Sequence, residues 1–130
     1  MELILDTSFV VAAEREGKGG EDGPARRFLA KHLEAHFSIT FTVLGELACG
    51  RSASPRQTWE QLTRPFSVIS WTREVSWQYG EIYRVLRERG ELIGANDLWI
   101  AATAITHGLP VVTGNLNEFR RVKNLEVVSF

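Results

Sequence analysis

Three carboxylates occupy positions where an acid can do more than solvate a surface. Asp6 directly follows the apolar run Leu3-Ile4-Leu5. Glu46 lies within the otherwise apolar stretch Phe41 to Cys49, and Asp97 opens the segment Asn96-Asp97-Leu98-Trp99-Ile100-Ala101-Ala102. Each has an ordinary structural use. Asp6 can cap a following helix, Glu46 can mark the edge of an amphipathic helix, and Asp97 can complement a helix dipole. As a set they offer another chemistry. Unpaired carboxylates crowded at one site repel, and their pKa values rise. A divalent cation removes that penalty. Magnesium prefers oxygen ligands, keeps several waters and uses one or two direct carboxylates. A metal held there can activate water and stabilise phosphoryl oxygens during hydrolysis. The histidines form no rival site. His32 and His36 stand four apart at what reads as one helix end, without a third ligand or adjacent glutamate, and His107-Gly108 reads as a helix C-terminus.

The elements that must position these acids follow from apolar periodicity. Leu3-Ile4-Leu5 is a short continuous apolar run, as in a parallel strand covered on both faces. Asp6-Thr7-Ser8 offers capping side chains before a helix through Phe9, Val10 and Val11. Gly17 to Gly23 reads as a mobile loop. Pro24 begins a helix with Phe28, Leu29 and Leu33 inward, and Phe37-Ser38-Ile39 is a second strand. Thr40 or Thr42 caps a helix that carries Glu46 and stops at Gly50. Pro55 opens a helix with Trp59 and Leu62, Pro65 ends it, and Phe66 to Ile69 form a third strand.

From Thr72 to Arg89 the residues Val75, Tyr79, Ile82, Val85 and Leu86 recur at helical spacing, and Gly90 closes the element. A helix from about Ala95 to His107 carries Leu98, Ala101, Ala102 and Ile105 inward, with Asp97 at the head of that stripe. Leu109 to Val112 form a fourth strand, Asn117 to Val122 a short helix, and Val127-Val128 a last strand. Strands alternating with helices imply an α/β fold with a mainly parallel sheet flanked by helices. In such a fold the site lies beyond the C-terminal strand ends, near a switch in strand order. No repeat or long linker divides residues 1–130, so one domain is expected.

Bulk properties narrow the classes. Hydrophobic residues make up 44% of the chain, which fits a globular core rather than disorder. Fifteen basic against 16 acidic residues leave a net charge of -1, so global charge gives no support to nucleic-acid binding. Locally, Arg84 to Arg89 and Arg120 to Lys123 are basic, and ordinary solvated helix faces are the favoured account of them over a nucleic-acid patch. The single cysteine, Cys49, reads as a small buried apolar residue and suits a reducing, cytoplasmic setting. No signal peptide or membrane span is visible.

Four segments in order carry a resemblance. Leu5-Asp6-Thr7-Ser8, Gly45-Glu46-Leu47-Ala48-Cys49-Gly50, Ile93 to Ala102, and Val111-Val112-Thr113-Gly114-Asn115-Leu116-Asn117-Glu118-Phe119 look like successive motifs of the PIN-domain family. The similarity covers nearly the whole chain, and its short size and the Asp97 segment resemble VapC-type toxins of bacterial toxin–antitoxin pairs. The resemblance implies a PIN-like fold and an RNA-cleaving enzyme using Mg2+ or Mn2+. It carries metal binding to Asp6, Glu46 and Asp97 individually. It also implies a cognate antitoxin that blocks the site, and a homodimer. The family often places a fourth acid where Asn115 stands here. Asn115 can ligate through its carbonyl or position a water, Glu118 can substitute or be merely solvated, and Thr113 can orient a ligand or water. Phe9, Trp59 and Trp77 are candidates for a partner surface, although aromatics of this kind are more often core residues than partner anchors. Two other classes compete. A haloacid-dehalogenase-like phosphotransferase would also place Asp after the first strand, but needs a second Asp where Ser8 stands. A PIN-like RNA- or protein-binding module with weak or no nuclease activity remains the alternative.

Overall fold

The computed structural model describes residues 1–50 and 55–130. Five strands form one parallel sheet in the order β3-β2-β1-β4-β5: β1 (Glu2–Leu5), β2 (His36–Thr40), β3 (Ser67–Ile69), β4 (Val111–Val112) and β5 (Val127–Val128). The chain lays down β1, builds outward through β2 and β3, and then returns to the other side of β1 for β4 and β5. Strand order therefore reverses between β1 and β4, which pair with Leu5 opposite Val112. Ligands of open parallel sheets gather at such a crevice, where the crossovers on the two sides diverge.

The connecting helices are α1 (Thr7–Gly19), α2 (Pro24–Lys31), α3 (Phe41–Ala48), α4 (Arg56–Thr63), α5 (Arg73–Glu88), α6 (Ala95–His107) and α7 (Leu116–Phe119). Local chemistry sets many of their ends. Asp6 caps α1 by accepting from Phe9 N at 2.9 Å, and α1 ends on Gly20 at φ 75, a left-handed conformation suited to glycine. Thr40, not Thr42, caps α3, accepting from Val43 N at 3.2 Å, while Thr42 bonds the Thr40 hydroxyl. Thr72 caps α5.

The core lies on both sheet faces. Ile4, Leu5, Val111 and Val112 are fully buried between helices that contribute Phe9, Val43, Leu86, Leu98 and Ala101. Burying side chains of this size contributes about 1.5–3 kcal/mol each against an extended chain, an upper estimate. Trp99 of α6 packs on Tyr79 of α5, with ring centroids 4.2 Å apart, and meets Phe41 of α3 edge-on. Those contacts hold the start of α6 beside α3. Trp59 Nε1 donates to Leu44 O at 3.1 Å and fastens α4 to α3.

Several expectations from the sequence change. Gly17 to Gly23 is not wholly a loop, since α1 continues through Gly19. Glu16 stabilises the turn by accepting from the backbone N–H of Ala25 and Arg26 at the start of α2. Leu33 lies past the end of α2 and is 85% exposed, and Val85 faces solvent. His32 and His36 do not share a helix. His32 follows α2 and stacks on Phe28, whereas His36 starts β2 and bonds Ser67. Cys49 is exposed, because α3 ends at Ala48 and turns it outward. Phe9 is core, Trp59 half-buried and Trp77 59% exposed. β3 begins at Ser67, β4 spans two residues, and the last helix covers Leu116–Phe119 rather than 117–122.

Candidate active site

Two residues leave the sheet at the strand-order switch. Asp6 follows β1 and is 1% exposed, and Thr113 follows β4 and is fully buried. The pairing of Leu5 with Val112 brings them side by side. Thr113 Oγ1 donates to Asp6 Oδ2, while Asp6 Oδ1 accepts from Ser8 Oγ at 2.7 Å and from Phe9 N. Thr113 Oγ1 in turn accepts from Asn115 N at 2.8 Å. Burial pushes the Asp6 carboxyl above its ordinary range, against the pull of the Thr113, Ser8 and Phe9 hydrogen bonds.

The other acids arrive on helices. Asp97 lies in the first turn of α6, half-buried, and its carboxyl is pushed up to about 7. Burial is the largest cause. A hydrogen bond with Glu118, the Glu118 charge, and the charges of Asp6 and Glu46 add to it. Glu46 projects from α3, and its Oε2 accepts from the side-chain amide of Asn96. The structure thus brings Asp6, Glu46 and Glu118 within electrostatic reach of Asp97.

The orientations are specific. Asp97 faces Glu118, Glu46 faces Asn96, and Asp6 faces Thr113 and Ser8. Among the described residues, no three His, Cys, Asp or Glu side chains are placed to grip one ion as they stand. Asn115 precedes α7, is exposed and makes no side-chain capping bond. Asn96 is a site neighbour that the motifs alone do not single out. Its only sequence signal is its place beside Asp97.

The donor set fits a hard divalent cation. It is all oxygen and anionic, and the charges of Glu118, Asp6 and Glu46 all push the Asp97 carboxyl up. A groove of about 460 Å³ runs from the site between α1, α3 and α4, lined among others by Thr7, Arg15, Lys18, Glu46 and Leu62. No helix of the described residues is long and apolar enough to cross a membrane.

Residues 3–125 match the PIN domain family. Ribonuclease VapC1 of Rickettsia felis is 31% identical over an alignment covering 99% of this chain and 96% of that protein. Ribonuclease VapC2 of the same organism is 36% identical over 68% of this chain and 69% of that one. A solved structure of VapBC2 from Rickettsia felis, bound to a DNA fragment from its promoter, superimposes with a TM-score of 0.82 at 28% identity, covering 100% of this chain and 99% of that one. The match runs from β1 to the segment before β5 and takes in every acid of the site, so the chain belongs to the PIN-domain family and, within it, to the VapC group.

Proposed function

We propose that this chain is a metal-dependent endoribonuclease toxin that hydrolyses RNA phosphodiester bonds and is restrained by a cognate antitoxin. The observation that carries the reading is the state of Asp97. A carboxyl raised to about 7 by burial and three neighbouring acids describes an anionic centre that a divalent cation would relieve. The names of the VapC relatives and the VapBC complexes point the same way.

In this reading Asp6, Glu46 and Asp97 hold Mg2+, with Mn2+ as a substitute. The ion supplies an activated water and charge compensation for phosphoryl oxygens. Asp6 is the fixed member, because three donors already set its orientation. Thr113 keeps Asp6 aimed and ties it to the backbone N–H of Asn115. Glu118 stands opposite Asp97 and supplies the fourth carboxylate that position 115 lacks. The antitoxin would cover the carboxylate centre with a cationic group, and the toxin would act as a homodimer.

The test compares wild type with Asp97→Asn on a broad panel of structured and unstructured RNAs, with Mg2+ and with chelator. The expected outcome is Mg2+-dependent cuts that fall at least 100-fold in the variant, since the exchange is nearly isosteric and removes the charge. Equal cutting by both proteins, or undiminished cutting in chelator, would sink the reading.

A further inference from the structure

We propose that Asn96 is a positioning residue for Glu46: its side-chain amide occupies Glu46 Oε2 and presents Oε1 to a divalent ion. The inference rests on the metal-site reading above and adds a residue to it. The bond joins side chains 50 positions apart, across the junction of α3 and α6. Asn96 is exposed, so packing does not demand an asparagine there. Gly94, not Asn96, occupies the N-cap of α6.

The geometry of α6 explains the pairing. Successive residues of a helix point about 100° apart. The first turn of α6 therefore sends Asp97 toward Glu118 and Asp6 and its neighbour Asn96 toward α3. One helix start sets two acids, one directly and one through an amide. A free glutamate must give up rotamer freedom to bind an ion, and a prior bond removes part of that cost. The chemistry of the tether matters as well. A lysine or arginine in its place would neutralise Glu46 and compete with the cation. An amide orients the carboxylate and leaves its charge available. Donors that orient ligating carboxylates typically carry 10- to 100-fold in metal affinity.

The experiment uses the full chain and Mn2+ alone, read by the paramagnetic resonance signal of the free ion. Asn96→Ala should weaken Mn2+ binding by about 10- to 100-fold, and Asn96→Gln, which keeps the amide, should recover part of the loss. In the Glu46→Gln background, Asn96→Ala should add little, because its effect passes through the carboxylate. In the ion-free chain, the Asn96 side-chain amide protons should move on Glu46→Gln and not on Glu60→Gln, a change on α4 at a carboxylate that bonds Arg56 instead. Unchanged Mn2+ affinity in Asn96→Ala, equal losses in both backgrounds, or amide protons indifferent to Glu46→Gln would each overturn the assignment. Mn2+ binding with the expected Asn96 dependence but no RNA cutting would sink the ribonuclease reading and leave the tether standing.

Discussion

At the strand ends, Asp6 is almost wholly buried and is met by three donors, whereas at the helix starts Asp97 is half-buried and meets another acid. Both carboxyls are raised by burial. For Asp6 the hydrogen bonds oppose that rise, and for Asp97 the neighbours add to it. The first is a structural cap that also faces the site. The second is tolerated by the fold without being satisfied by it. A carboxyl whose hydrogen bonds help hold the fold together and one held in reserve for a ligand can thus be told apart by whether their neighbours are donors or acids.

The largest expected contrast is in stability. Asp6→Ala removes the cap of α1 and leaves the Thr113 hydroxyl and Phe9 N–H without their acceptor. It should cost about 1–3 kcal/mol. Asp97→Asn should leave the chelator-treated protein at pH 8 as stable as wild type or more so, because it deletes a charge the fold disfavours. Urea unfolding of both variants checks this. An Asp97→Asn loss as large as that of Asp6→Ala would break the comparison.

The second contrast is in pH. A raised carboxyl pKa means the folded chain binds more protons than the unfolded chain between about 4, the ordinary aspartate value, and about 7. Stability of the metal-free protein should therefore fall as pH rises through that window, with Asp6 contributing in the same direction. Melting temperatures measured in chelator should decline from pH 5 to pH 8, and Asp97→Asn should flatten most of this site's share. Adding Mg2+ at pH 8 should restore wild type and not Asp97→Asn. A melting profile identical in wild type and variant would show that Asp97 is not the group responsible.

The smallest effect sharpens the helix half alone. Glu118 touches Asp97, whereas Asn115 is exposed at the start of α7. Glu118→Gln should weaken Mn2+ binding several-fold, and Asn115→Asp should strengthen it by less. A calorimetric titration in which Asn115→Asp has the larger effect would return the role of fourth acid to position 115.

Much of this was legible in local chemistry. The run Leu3-Ile4-Leu5 followed by Asp6, the stripe Leu98, Ala101 and Ile105 led by Asp97, and the glycine and proline stops specify strands, helices and their order. Those are effects of neighbours along the chain, with periods of two or 3.6 residues. The motif resemblance likewise singled out Asp6, Glu46 and Asp97. Local pattern was less informative where exposure depended on distant partners. Leu33 and Cys49 are apolar in type yet face solvent, because α2 and α3 end just before them and no other element among the described residues covers them.

Tertiary structure alone decided which acid faces which donor. The strand order that sets Asp6 beside Thr113, 107 positions apart, comes from β4 returning to pair with β1. The choice of Glu118 over Asn115 as the partner of Asp97, and of Asn96 as the partner of Glu46, depends on how α6 seats against α3 and α7. Periodicity says which face of a helix is buried. It carries no information about where along a neighbouring element that face comes to rest, because interdigitation of side chains such as Trp99, Tyr79 and Phe41 sets that register only once the helices pack.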